Sequence, residues 1–143
     1  MLETLSIAGR YLRDRHCLPS KIDGIYPLDQ LARELTERPA RHVERARVER
    51  AIVSTERLAE KLPWIPRTCL YRSFARFATL RAAGHPAVLV MALPRDGEGD
   101  GHAWVTLDGE PFCEEQDLED LVVTFCYPAN IRTNGTSAET KPL

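Results

Sequence analysis

Apolar positions recur at helical spacing through the first half of the chain and at strand spacing through the second. Residues 3–17 set Leu5, Ala8, Leu12 and Cys17 among Arg10, Arg13, Asp14 and Arg15, which predicts a first helix. Pro19 to Pro27 reads as a breaker cluster. A short helix is expected over Leu28–Glu37, with Leu28, Leu31, Ala32 and Leu35 on one face and Pro39 as its stop. The most regular segment is residues 41–61, where Val48, Ala51, Ile52, Thr55, Leu58, Ala59 and Leu62 form one apolar stripe. Its opening, Arg41 to Arg50, is charge-dense and reads as a solvated face with local pairs such as Arg41/Glu44 and Arg45/Glu49. Leu62-Pro63-Trp64-Ile65-Pro66 ends that helix. Thr68 is placed to cap the next one, over residues 69–83, and Gly84 to close it.

After Gly84 the period changes to two. Ala87 to Leu93 is a nearly continuous apolar run, which predicts a central strand. A glycine-rich connection, Pro94 to Gly101, leads to a second strand over His102–Leu107. Asp108-Gly109 is a hairpin turn, with Glu110 to Glu114 as the return strand. Residues Glu115 to Leu121 are expected to hold one helical turn and Val122 to Tyr127 a last strand, closed by Pro128. The fold class is therefore α+β: N-terminal helices followed by a small, mainly antiparallel sheet around one core. Residues 1–61 form the helical part of that domain, 62–128 its chemical core and 129–143 a loose tail.

Composition narrows the function classes. The 143 residues are 43% apolar and 28% charged, enough for a real core. Nineteen Lys and Arg against 21 Asp and Glu give a net charge of −2 and a pI near 6.1. That balance argues against a protein that coats nucleic acid or an anionic membrane. The N-terminus lacks a signal peptide's basic start and apolar stretch, and no run is long enough to span a bilayer. A cytoplasmic location with reduced thiols is expected. Asn134-Gly135-Thr136 is then a chance match to a glycosylation sequon.

None of the four cysteines, Cys17, Cys69, Cys113 and Cys126, is spaced as a zinc knuckle or disulfide framework. A zinc site of Cys69, His102 and Cys113 would match no structural spacing, so no metal and no cofactor are expected. Cys69, however, falls at the first turn of a helix. Free N–H groups and the positive end of the helix dipole favour a thiolate there and can hold an oxyanion. His102 opens a strand directly after a flexible loop, where an imidazole can serve as the base. Hairpin register supplies the third group. A three-residue loop pairs His102 with Glu114, and a two-residue turn pairs it with Glu115. Asp108 lies at the far end of the strand and reads as structural, and Asp117 as a capping residue. Cys69 alone reads better as a small core residue; its conjunction with His102 makes the catalytic case.

Three ordered motifs carry a family resemblance: Leu62-Pro-Trp-Ile-Pro-Arg-Thr-Cys-Leu-Tyr-Arg-Ser73, Arg81-Ala-Ala-Gly-His-Pro-Ala-Val-Leu-Val90 and Gly101-His-Ala-Trp-Val-Thr-Leu-Asp-Gly109. This stretch resembles the transglutaminase-like leader peptidases of lasso-peptide biosynthesis, the B proteins or their B2 halves where the protein is split. The resemblance is close over residues 62–114 and only general before them. It implies a papain- and transglutaminase-like core and a cysteine protease with a Cys-His-acid triad, in which Cys69 matches the nucleophile, His102 the base and Glu114 the acid. Glutamate departs from the aspartate familiar at that position. The implied partners are the precursor peptide, an ATP-dependent cyclase that closes the macrolactam, and a separate winged-helix recognition protein, since residues 1–61 lack that module's strand pattern. Trp64 and Arg72 are candidate substrate contacts. Trp64 reads alternatively as packing at the helix junction, and Arg72, like Arg76, as solvated or paired with a local carboxylate. Two other readings are an acyl transferase of the same fold and a non-catalytic scaffold.

Overall fold

Four helices precede a four-stranded sheet in the computed structural model, which describes residues 2–24 and 27–129. The helices are α1 (Leu2–Ile22), α2 (Leu28–Thr36), α3 (Arg45–Ala59) and α4 (Cys69–Ala82). The strands are β1 (Val88–Pro94), β2 (His102–Leu107), β3 (Glu110–Pro111) and β4 (Leu121–Tyr127), ordered β3-β2-β1-β4 and antiparallel throughout. This is the expected α+β architecture. One continuous core joins α1 (Ile7, Tyr11, Leu18), α2 (Leu31, Leu35), α3 (Val48, Ile52), α4 (Phe74, Phe77, Leu80) and the helix-facing side of the sheet (Leu89, Val105, Leu107). Each large apolar side chain fully buried there contributes about 1.5–3 kcal/mol. Val88, Val90, Ala92 and Trp104 form a second cluster on the opposite face of the sheet.

Several expectations are corrected. Helix α1 does not stop at Pro19 but runs through it to Ile22; the amide of Asp23 still reaches the Pro19 carbonyl at 2.8 Å. Its buried face is also not Leu5–Ala8–Leu12–Cys17. Leu5 is 64% exposed and Cys17 exposed, whereas Ile7, Tyr11, Asp14, Arg15 and Leu18 are buried. Residues 41–44 precede α3 and are not helical, and the amides of Arg41 and Val43 bond to the Ala82 and Ala83 carbonyls at the end of α4. The arginines of this stretch pair across elements instead of locally: Arg41 and Arg47 with Glu3, and Arg45 with Asp108. Leu58 leaves the predicted stripe at 52% exposure. No helical turn forms over residues 115–121, and β3 ends at Pro111, three residues early. All but the first residue of the predicted tail, 129–143, lies outside the described residues.

Candidate active site

The Pro66-Arg67-Thr68 approach delivers Cys69 to the first position of α4. The N–H groups of a helix's first turn have no intrahelical acceptor. The Thr68 hydroxyl takes that of Tyr71 at 3.4 Å, as an N-cap does. One turn further on, and so on the same side of the helix, the Ser73 hydroxyl donates to the Ala103 carbonyl at 2.7 Å. That bond fixes the start of β2 against the start of α4. Gly101 permits the close fit on the other side, since a Cβ there would lie 3.0 Å from both the Ala92 carbonyl oxygen and a Leu93 methyl. Cys69, a free and half-buried thiol, and His102 consequently line one open cavity of about 280 Å³, whose other walls include Leu70, Met91, Leu93 and Thr124. No hydrogen bond joins the thiol to the imidazole in this structure; such catalytic contacts are often long until substrate arrives.

His102 is held on its other sides. Its ring stacks on Trp104, two residues along the strand, with centroids 5.9 Å apart and planes at 17°. Its Nε2 lies 3.3 Å from Oε1 of Glu114, an ion-pair distance without hydrogen-bond alignment, and both side chains are almost fully buried. The Glu114 oxygen also accepts the amides of Glu115 and Gln116, at 3.2 and 3.1 Å. With Nε2 facing the carboxylate, Nδ1 is the nitrogen left for a thiol. A thiol, an imidazole and a carboxylate are the groups that thiol catalysis uses.

The route by which Glu114 reaches His102 is not the one that strand counting suggests. Asp108 and Gly109 have φ of 55° and 85°, the two left-handed positions of a two-residue type I′ turn, and Leu107 pairs with Glu110. Carried on, that register sets Glu115 opposite His102. The ladder is not carried on. Its last bond runs from the Phe112 amide to the Val105 carbonyl at 2.8 Å, and Cys113 turns the chain with a φ of 49°. Glu114 then meets His102, and Glu115 is exposed. Glu114→Gln is accordingly expected to slow any reaction of Cys69 with a peptide by about 10², within the range of general acid–base groups. Glu115→Gln should stay within twofold of wild type, and the reverse ranking in a side-by-side rate assay would give the role to Glu115.

The other candidates are placed as follows. Trp64 is 63% exposed and does not pack at the helix junction; Ile65 occupies that buried position. Arg72 lies on the acid's side of the site, in a polar cavity of about 350 Å³ shared with Glu56, Glu60, Arg76 and Glu114. Its Nε and the Glu114 Oε2 are both buried without a hydrogen-bond partner. Arg76 is buried and forms a two-pronged pair with Glu56, at 2.7 and 2.8 Å. Burial pushes the Cys113 thiol up from its usual range, although the Arg76 charge opposes it. The His42 and His85 rings lie 5.8 Å apart with planes tilted at 54°, beside Gly84, and His85 contacts the Val43 carbonyl at 2.9 Å. Among the described residues no three His, Cys, Asp or Glu side chains are grouped to hold a metal ion, and no helix is long and apolar enough to cross a membrane.

A family model described as "Transglutaminase-like superfamily" matches residues 21–126, a stretch that includes Cys69, His102 and Glu114. The chain belongs to the transglutaminase-like superfamily. No curated protein and no solved structure matches it. Membership in this superfamily accounts for the α+β core, a fold of the cysteine protease or acyltransferase kind. The match begins at residue 21 and so spans α2 and α3 as well as the segment from Leu62 onward.

Proposed function

We propose that this chain is a cysteine peptidase that removes the leader from a ribosomally made lasso-peptide precursor, so that a partner ATP-dependent cyclase can close the macrolactam on the freed amine. The observation that carries the thiol chemistry is the His102–Glu114 contact at 3.3 Å beside a cavity that also holds Cys69 at a helix N-terminus. The leader-peptidase assignment is supported by the three ordered motifs between Leu62 and Gly109. In this reading the Cys69 sulfur attacks the last leader carbonyl, and the Cys69 N–H helps to hold the oxyanion. His102 protonates the departing core-peptide amine and then activates the water that releases the leader. Leu70, Met91 and Leu93 offer an apolar seat to a side chain next to the scissile bond, and Trp64 an exposed indole on the approach to Cys69. A separate winged-helix protein presents the leader, and the reaction is cytoplasmic.

The test is mass spectrometry of a synthetic precursor incubated with the chain and its recognition partner. Free leader and free core are expected. A leader joined to an added amine would instead make the chain an acyl transferase, and an intact precursor with an unreactive Cys69 would make it a scaffold.

A further inference from the structure

The helical half of the chain reaches the candidate site through a buried polar network. Glu56 of α3 accepts the Tyr11 hydroxyl of α1 at 2.6 Å and both prongs of Arg76 from α4. The remaining Arg76 nitrogen, Nη1, donates to the carbonyls of Phe112 at 3.3 Å and Cys113 at 3.0 Å. Arg15 of α1 donates to Tyr11 at 3.0 Å and to the Pro66 carbonyl at 3.0 Å, three residues before Cys69. One connected set of side chains therefore grips the segment leading to the nucleophile and the segment leading to the acid. Phe112 and Cys113 are the two residues at which the ladder ends and the chain turns left-handed. A non-glycine residue in that region is held there by its surroundings, because the conformation is uncommon by itself. The Arg76 guanidinium holds the Cys113 carbonyl, while the Cys113 side chain packs against the core.

We infer that Arg76 is a positioning residue of this site: anchored by Glu56, it clamps the Phe112 and Cys113 carbonyls and thereby sets Glu114, not Glu115, against His102. The inference rests on the thiol chemistry proposed for Cys69. A planar guanidinium can serve Glu56 and the two carbonyls together; an ammonium keeps the charge against Glu56 but cannot span all of them. Arg76→Lys thus separates a merely charge-balancing role from a positioning one.

The experiment measures alkylation of Cys69 by iodoacetamide at neutral pH, resolved from the other cysteines by peptide mass spectrometry, with far-UV circular dichroism to verify the fold. Arg76→Lys and Glu114→Gln are each expected to slow Cys69 about tenfold while leaving exposed Cys17 unchanged. If Arg76 acts through Glu114, the double variant is no slower than the slower single variant, as for residues that act as one unit. A wild-type rate in Arg76→Lys, or full additivity in the double variant, overturns the inference. So does equal slowing of Cys17, which would show that the effect is not specific to the site. A wild-type Cys69 no faster than Cys17 and indifferent to His102→Ala overturns the thiol chemistry together with the inference. An uncut precursor alongside a non-additive cycle removes only the leader-peptidase assignment.

Discussion

Replacing Cys69 with alanine is expected to abolish precursor cleavage, and His102→Ala to reduce it by about 10³, the middle of the range for a positioned general acid–base group. The difference in scale follows from what each side chain supplies. Without the sulfur there is no covalent step, and no other described cysteine opens a helix: Cys17 is exposed within α1, Cys113 follows β3, and Cys126 lies in β4. Without the imidazole the thiol remains at the helix N-terminus, where the dipole still favours its charged form, so a residual rate persists. His102 is 7% exposed and stacks on Trp104, so His102→Ala also opens a gap beside that ring. His102→Asn keeps more of the volume and should lose a similar factor if proton transfer is what counts. Cleavage of the precursor and alkylation of Cys69 should fall together in the His102 variants; Cys17→Ala and Cys126→Ala should leave both within twofold. An alkylation rate at Cys69 that ignores His102 would detach the histidine from the nucleophile and with it the whole scheme.

Most of the fold was legible wherever apolar periodicity and terminator residues agreed. The buried face of α3 (Val48, Ala51, Ile52, Thr55, Ala59), the capped start of α4 at Thr68 and the pairing of β1 with β2 all lie where the pattern predicts them. Helix α1 was misread because its inner face is polar. Tyr11, Asp14 and Arg15 are buried by bonding to Glu56, Arg38 and Pro66, and a reading that counts only apolar residues assigns such side chains to solvent. The available signal was charge embedded in apolar surroundings: Arg76 between Phe74 and Phe77, and Glu56 one turn beyond Ile52. The same blindness affects the acid of the site. Alternation and turn length specify a ladder, and by the two-residue turn that ladder leads to Glu115. Glu114 is selected by a left-handed Cys113 and the guanidinium that holds it, a tertiary contact between residues far apart in sequence. Pro111, which has no N–H to extend the pairing, is the one local hint that the ladder stops.

The largest expected effect on stability belongs to Glu56. In Glu56→Ala, Arg76 keeps its charge in a site where it is 3% exposed and loses both of its hydrogen bonds to Glu56, and the Tyr11 hydroxyl loses its acceptor. Removing one member of a buried pair costs about 3–5 kcal/mol, which for a domain of this size lowers the melting temperature by roughly 10 °C. The effect depends on pH with a definite sign. Burial pushes the Glu56 carboxyl up, but the hydrogen bonds and charge of Arg76, the Tyr11 hydroxyl and the Arg72 charge more than offset it, leaving the group below its ordinary value. A carboxyl depressed in the folded state adds stability that is complete above its unfolded value of about 4.3 and is lost as the pH falls through the folded value. Urea unfolding should therefore place Glu56→Gln well below wild type at neutral pH. The two should converge below about pH 4, as the wild-type carboxyl takes up the proton whose charge the variant already lacks. A gap that stayed constant from neutral to acid pH would mean that Glu56 stabilises the fold through shape and packing and not through its charge on Arg76.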